Sequence, residues 1–249
     1  MNIFKFAPAY LKEVLGHLPT LVFKLIPWRQ LMQDVVPALK KMGQEVSAEQ
    51  LEYLNKKYKC LYFVKETDGL ERALPQVQGE LLLEFYFSQL AQEGEVYLDL
   101  SASHLQVSEQ ELLFSPNNLA VHFSTSFRTA LRNLYNGFYH RQLQQFAQAL
   151  EEIGLTSGLK SQQKNDLIQL FQSHFGQGDQ TQQFFSLEQF NDSFFRIFQF
   201  LLKHEIKMSS SFLFLGISLI TLYTSLDGGS YNVRKAFLRS DLNEIAPDN

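Results

Sequence analysis

The spacing of apolar residues predicts two regions that differ in secondary structure. In the first region, short apolar runs separated by polar turns predict strands at 58–64, 96–100, 105–107, 111–114 and 120–123. In the second region, apolar residues return every three or four positions, which is the period of an amphipathic helix. The clearest such stripe consists of Leu187, Phe190, Phe194, Ile197, Phe198 and Leu201. The pattern predicts an α+β fold, predominantly α-helical, with a small antiparallel sheet followed by a helical bundle.

Capping residues, glycines and prolines mark the predicted helix boundaries. Ser47 and Gln50 form a capping-box sequence for a helix that ends near Lys57. Ser186 caps the helix that carries the apolar stripe, and Gly94 ends a helix predicted at 78–93. Four prolines before residue 40 predict short helices in that region. Further helices are predicted at 127–138, 146–153, 159–175, 212–226 and 231–238.

These boundaries divide the chain into three segments. We expect residues 1–45 to form an N-terminal helical segment, residues 46–240 a single mainly helical domain, and residues 241–249 a flexible tail. A chain of 249 residues is long enough for such a domain to bury a sizeable core.

Charge and cysteine content exclude several classes of function. A net charge of −4 argues against nucleic acid as a partner, since nucleic-acid binding usually needs a basic surface. Cys60 is the only cysteine, so an intrachain disulfide and a cysteine-based zinc site are excluded. The six histidines show no His-x-x-x-His pairing. We therefore expect a cytoplasmic protein without a metal or another cofactor.

One uncharged stretch, 209–226, raises the question of a transmembrane helix. Its densely apolar part, 212–223, would be about 18 Å long at ~1.5 Å per residue. A bilayer core is about 30 Å thick. The stretch therefore predicts a buried helix.

Two other apolar features each have two interpretations. The N-terminal segment has candidate membrane or partner contacts at Phe4, Phe23, Lys24 and Trp28, which suit an interfacial anchor or a helix docked on the domain. The aromatic residues Phe190, Phe194 and Phe198 are candidates for an apolar pocket that takes a lipid or quinone, or they are ordinary helix packing.

The segment 95–107 contains the residues with the clearest catalytic potential. It predicts a strand, a polar turn with Asp99 and His104, and a second strand. Asp99 is either a relic catalytic base or a turn residue whose carboxylate accepts backbone N–H bonds. His104 is either a metal ligand or proton shuttle, or a partly buried histidine bonded within the turn. Ser101 and Ser103 lie between them, but no Gly-x-Ser-x-Gly elbow supports hydrolysis.

This order of elements resembles the C-terminal lobe of the UbiB/AarF family of atypical kinase-like proteins. In that family a helix leads to an Asp-Pro-His-Pro-Gly-Asn loop, a strand, an Asp-Phe-Gly motif and a helical tail. Here the loop is Asp99-Leu-Ser-Ala-Ser-His104, so the acid is kept and His104 replaces the metal-binding Asn. Leu112-Leu-Phe-Ser-Pro116 stands in place of Leu-Leu-Asp-Phe-Gly, so the metal-binding Asp is missing.

Other segments extend the resemblance. The helical segments at 127–155 and 184–226 are similar to the family's helical pair and its last two core helices. Lys41-Met-Gly-Gln44 matches the Lys-x-Gly-Gln signature of the family's N-terminal extension. About fifty residues separate it from the Asp99 turn, too few for a complete N-lobe.

The substitutions bear directly on catalysis. Phosphoryl transfer depends on positioning and on magnesium, which prefers oxygen ligands in octahedral geometry. His104 and Phe114 remove two oxygen donors, although Asn117 or Asn118 would restore one if the loop were rearranged. No glycine-rich phosphate loop is found in the sequence. The resemblance therefore implies a degenerate, pseudokinase-like C-lobe.

The leading hypothesis is a non-catalytic interaction or regulatory protein with a protein partner, at or near a membrane surface. By resemblance, it is linked to isoprenoid-quinone or lipid metabolism and to a hydrophobic small molecule. The alternative is a lipid-binding or peripheral membrane protein with an apolar pocket in its helical half. A third hypothesis is a residual enzyme that uses Asp99 and His104 in a cleft.

Overall fold

A computed structural model describes residues 25, 28–42, 44–175 and 182–243. The α-helices within them are α1 (Trp28–Lys41), α2 (Ala48–Lys57), α3 (Gln76–Ala91), α4 (Thr125–Tyr139), α5 (Leu143–Glu152), α6 (Ser161–Phe175), α7 (Leu187–Lys203), α8 (Ser210–Leu226) and α9 (Val233–Arg239). The strands are β1 (Tyr62–Phe63), β2 (Glu95–Tyr97), β3 (Leu105–Ser108), β4 (Glu111–Phe114), β5 (Ala120–His122), β6 (Gln183–Phe184) and β7 (Ser230–Tyr231). The fold is α+β and predominantly helical, as predicted.

The strands form three small sheets, where the sequence predicted a single antiparallel sheet. One sheet has the order β1-β4-β3, and β2–β5 and β6–β7 are separate antiparallel pairs. The β1–β4 pair is parallel. Strand β1 is also much shorter than the predicted 58–64, and the Asn55 side chain of α2 bonds both the N–H and the carbonyl of Phe63.

Helix α3 lies at the centre of the molecule. It is buried on nearly all sides, whereas the sequence suggested one broad apolar face. Gly79 allows this packing: a Cβ there would lie 2.0 Å from the ring of Tyr231, whose hydroxyl donates to the carbonyl of Leu74. Helix α8 is likewise buried, as predicted for the uncharged stretch.

The helical half packs through close backbone contacts and aromatic rings. Helices α4 and α5 form a hairpin in which a Cβ at Gly137 would lie 2.5 Å from the backbone nitrogen of Phe146. Aromatic rings connect α3, α4 and α9, with Phe87 in edge contact with Tyr135 and Phe237. One continuous cluster of buried apolar residues joins these helices to the sheets.

Helix α1 is docked on the domain. Ala38 is buried, Asp34 accepts a hydrogen bond from Ser210, and Lys41 forms a 2.6 Å ion pair with Glu95. Pro37 lies inside this helix rather than ending it, contrary to the prediction of shorter helices. Phe4, Phe23 and Lys24 lie outside the described residues, as does the side chain of Trp28.

The described chain ends in a packed turn. Residues 241–243, placed in the tail by the sequence, form a 3-10 turn in which Leu242 is fully buried. Asn136 donates to the carbonyl of Leu242. Among the described helices, none is long and apolar enough to span a membrane.

Candidate functional site

The carboxylate of Asp99 is surrounded by donors from its own turn and from the chain after β4. Its side chain is only 1% exposed. Oδ1 accepts from the backbone N–H of Ser101 at 3.2 Å and from the hydroxyl of Ser101 at 2.6 Å. Oδ2 accepts from the amide of Asn117 at 2.6 Å and lies 3.1 Å from Nε2 of His104. Both oxygens are thus occupied by protein groups.

His104 and Asn117 complete the cluster. Nδ2 of Asn117 lies 3.1 Å from Nε2 of His104, so the two side chains and Oδ2 of Asp99 form a compact triangle. His104 ends a 3-10 turn at Ala102–His104 and retains 20% of its side-chain exposure. Oδ1 of Asn117 accepts from the N–H of Leu119, which fixes the amide within its own turn.

The electrostatics of the cluster favour the ionised carboxylate. Burial alone would raise the pKa of Asp99, but the hydrogen bond and electrostatic attraction of His104, together with the two donors of Ser101, outweigh it and lower the pKa below its ordinary value. Asp99 is therefore a carboxylate held as a hydrogen-bond acceptor. It is a poor proton acceptor at neutral pH.

Hydroxyl groups of helix α8 hold the turn on its other side. The hydroxyl of Thr221 accepts from the N–H of Leu100 and donates to the carbonyl of Leu98. The hydroxyl of Ser225 donates to the carbonyl of Leu100 at 2.6 Å. Three of the backbone groups around Asp99 are thus bonded to a helix more than a hundred residues away in sequence.

The Lys41–Gln44 segment reaches the same region. The amide of Asn118, whose φ of +59° is left-handed, donates to the carbonyl of Gln44 at 2.7 Å. With the ion pair between Lys41 and Glu95, this contact places Lys41 and Gln44 beside β2 and Asn118. The structure thus brings together the Asp99 turn, the chain after β4 and the Lys-x-Gly-Gln match.

The arrangement differs from a magnesium site in the atoms that it offers. Asp99 supplies two oxygens that already accept hydrogen bonds, and His104 supplies a nitrogen where magnesium prefers oxygen. Asn117 does enter the site, but it presents its N–H group to Asp99 rather than an oxygen ligand. Phe114, in the place of the missing acid, is fully buried in the aromatic core.

The candidate pocket residues lie elsewhere, in the interface between α7 and its neighbours. Phe190 and Phe194 have ring centroids 5.1 Å apart, and Phe194 and Phe198 have theirs 4.5 Å apart in an edge contact. Phe194 also packs on Gly216 of α8. These contacts are those of helix packing, and the use of the three rings as a ligand pocket stays a prediction.

Sequence reasoning missed Thr221 and Ser225 as part of the site. A signal was present, because Ser218, Thr221 and Ser225 recur at steps of three and four in an otherwise apolar helix. Such a polar stripe on a buried helix indicates a buried hydrogen-bonding face. The partner of that face lies far away in sequence and is visible only in the fold.

The sequence matches no protein-family model, and a comparison with curated proteins finds no significant similarity. The resemblance to the UbiB/AarF family therefore rests on the residues and the order of elements given above.

Proposed function

We propose that this chain is a non-catalytic interaction or regulatory protein built on a degenerate kinase-like C-lobe. The observation that carries the proposal is the state of Asp99, whose buried carboxylate has protein donors on both oxygens. A catalytic base must reach the proton that it removes, and a metal ligand must direct a lone pair at the ion. The same carboxylate serves neither purpose while it holds its own turn.

The alternative of a residual enzyme requires Asp99 and His104 to converge on open space. Instead, they contact each other, and the hydroxyl of Ser101 donates to Asp99. These contacts support a structural role for the turn, which joins the end of β2 to α8 and to the chain after β4.

The biological setting follows from the resemblance alone. A relative of the UbiB/AarF family that has lost its metal ligands would act through a protein partner, in isoprenoid-quinone or lipid metabolism. A cytoplasmic location, at or near a membrane surface, fits that setting.

The test is a thermal-shift titration with ATP and magnesium. A ligand that binds only the folded state raises the melting temperature as its concentration exceeds the dissociation constant. We expect no magnesium-dependent rise for the unmodified protein. A rise that is lost in Asp99→Ala but kept in Asp166→Ala, on the surface of α6, would overturn the proposal.

A further inference from the structure

A groove beside the first turns of α4 contains two arginine side chains, Arg128 and Arg132, that form no salt bridge with a carboxylate of the described residues. The groove lies between α4 and the turn at 91–94 and has a volume of about 420 Å³. That is within the range of small-molecule sites, which are roughly 300–1,000 Å³. We call it the α4 groove; the residues that matter here are Glu93, His122, Thr125, Arg128, Thr129 and Arg132.

Four of these residues share one face of helix α4. Thr125, Arg128, Thr129 and Arg132 fall at steps of three, one and three, so their side chains lie along a single side of the helix. The groove therefore presents two guanidinium groups and two hydroxyls on a rigid element. It begins at the first turn of α4, where the helix dipole favours negative charge.

Arg128 is the buried member of this set, with 8% exposure. Nε and the two terminal nitrogens donate to backbone carbonyls of Phe123, Gln89, Leu90, Gln92 and Gly94. Nη2 makes one of these bonds although it carries two N–H groups. Within the described part of the chain, the second N–H of Nη2 therefore has no acceptor, although the Arg128 side chain is about nine-tenths buried.

The charged side chains of the groove are also positive in sum, since Arg128 and Arg132 face one carboxylate, that of Glu93. Within the described residues, neither Arg128 nor Arg132 forms a salt bridge with a carboxylate. Carbonyl oxygens satisfy hydrogen bonds but carry no net negative charge, and buried charges are usually paired. Glu93 lines the same groove, and its exposed carboxylate attracts the charge of Arg128 through space without forming a salt bridge to either arginine. An anion from solution would supply the missing charge.

We propose that the α4 groove binds the phosphate group of a small ligand between Arg128 and Arg132. Guanidinium groups form paired, charge-assisted hydrogen bonds with phosphate oxygens, and two arginines match its double negative charge. The hydroxyls of Thr125 and Thr129 are additional donors along the same face. The phosphate group belongs to a free phosphate compound or to a lipid headgroup, since both present the same chemistry.

The first arm of the test is calorimetric titration of the whole protein with inorganic pyrophosphate. We expect saturable binding that Arg132→Gln weakens about tenfold. Arg234→Gln is the matched control, because it removes an exposed arginine of α9 outside the groove, and it should leave the affinity unchanged. Glu93→Gln should tighten binding, since it removes a negative charge that opposes the ligand. Circular dichroism checks that each variant is folded.

The second arm is cosedimentation with phosphatidic acid vesicles, with phosphatidylcholine vesicles as the neutral comparison. Binding in this arm alone, if weakened by Arg132→Gln and not by Arg234→Gln, assigns the phosphate to a lipid headgroup. Binding to pyrophosphate with the same dependence assigns it to a soluble compound. If neither probe binds, or if the two arginine variants behave alike in both arms, the site does not exist.

Discussion

At the scale of single residues, Asp99 shows how neighbouring groups decide the chemistry of a carboxylate. Its position after a strand suits catalysis, yet Ser101, His104 and Asn117 use both of its oxygens. The sequence indicated Asp99 and His104 through their spacing. It left the role of Asn117 open, because whether an amide presents its oxygen or its nitrogen depends on the loop geometry.

The first prediction concerns Asn117. Replacing it with alanine removes a donor to buried Asp99 and the acceptor for the N–H of Leu119. Leaving such groups unsatisfied should lower the free energy of unfolding by about 1–3 kcal/mol. Urea denaturation measures the change. Asn165→Ala, at an exposed position of α6, should stay within about 0.5 kcal/mol of the unmodified protein; equal effects in the two variants would contradict the network.

His174 is a second residue whose environment sets its chemistry. It is buried against Phe190 and Phe194, and its Nδ1 lies 2.7 Å from the hydroxyl of Ser193. Burial lowers the pKa of His174 to about 4, since the charged ring would lose its hydration. The unfolded chain, with an ordinary histidine pKa near 6.5, takes up the proton first as the pH falls.

This difference predicts a pH dependence of stability with a definite sign. The contribution of neutral His174 is complete above about pH 6.5 and is lost as the pH falls towards 4. The loss should be about 3 kcal/mol at the low end of that window, by ~1.4 kcal/mol per unit of pKa. His174→Gln should flatten the dependence measured by urea denaturation between these pH values. His122→Gln, at an exposed position, should preserve it; an unchanged slope in His174→Gln would refute the assignment.

At the scale of secondary-structure elements, the end of helix α3 depends on one side chain from another helix. The last carbonyls of a helix lack partners within it. Arg128 of α4 supplies donors to the carbonyls of Gln89 and Leu90 and to the turn that follows. Its positive charge also interacts favourably with the negative, C-terminal end of the α3 dipole. Since α3 is the central helix, loss of this cap should weaken the packing of the core around it.

The third prediction tests the cap. Arg128→Met keeps much of the side-chain volume but leaves the α3 carbonyls without donors, so it should lower the free energy of unfolding by about 3 kcal/mol. Hydrogen exchange should show lost protection first in the last turn of α3. Arg132→Met, one turn away, should change stability by less than about 0.5 kcal/mol. If both variants lowered the free energy of unfolding equally, the loss would come from removing a positive charge and not from the hydrogen bonds of the cap.

At the scale of the whole molecule, local patterns predicted elements better than they predicted contacts. The Ser47 and Ser186 caps and strand β4 lie where the sequence put them, because capping and alternation act over a few residues. The parallel β1–β4 pairing and the burial of α3 on all sides depend on contacts between distant segments, and periodicity carries no information about these. The hydrogen bonds from α8 to the Asp99 turn are likewise contacts between distant segments.

The sequence separation of the contacting residues also explains why the candidate site was only partly predictable. Asp99 and His104 are five residues apart and share a turn, so their proximity followed from the sequence. Thr221 is more than 120 residues from the backbone groups that it bonds. Arg128 and Glu93 face one groove only because α4 packs against the end of α3.

The most direct test of the closed Asp99 site is paramagnetic relaxation by Mn²⁺, used as a magnesium substitute, in the presence of ATP. Broadening by a bound manganese ion falls with the sixth power of the distance, so a carboxyl or imidazole group that coordinates the ion is broadened far more than any other labelled group. We expect the carboxyl carbon of Asp99 and the ring of His104 to broaden no more than exposed carboxylates, which should broaden uniformly and weakly. Selective, saturable broadening at Asp99 would show that its oxygens open to a metal ion and that the site is not closed.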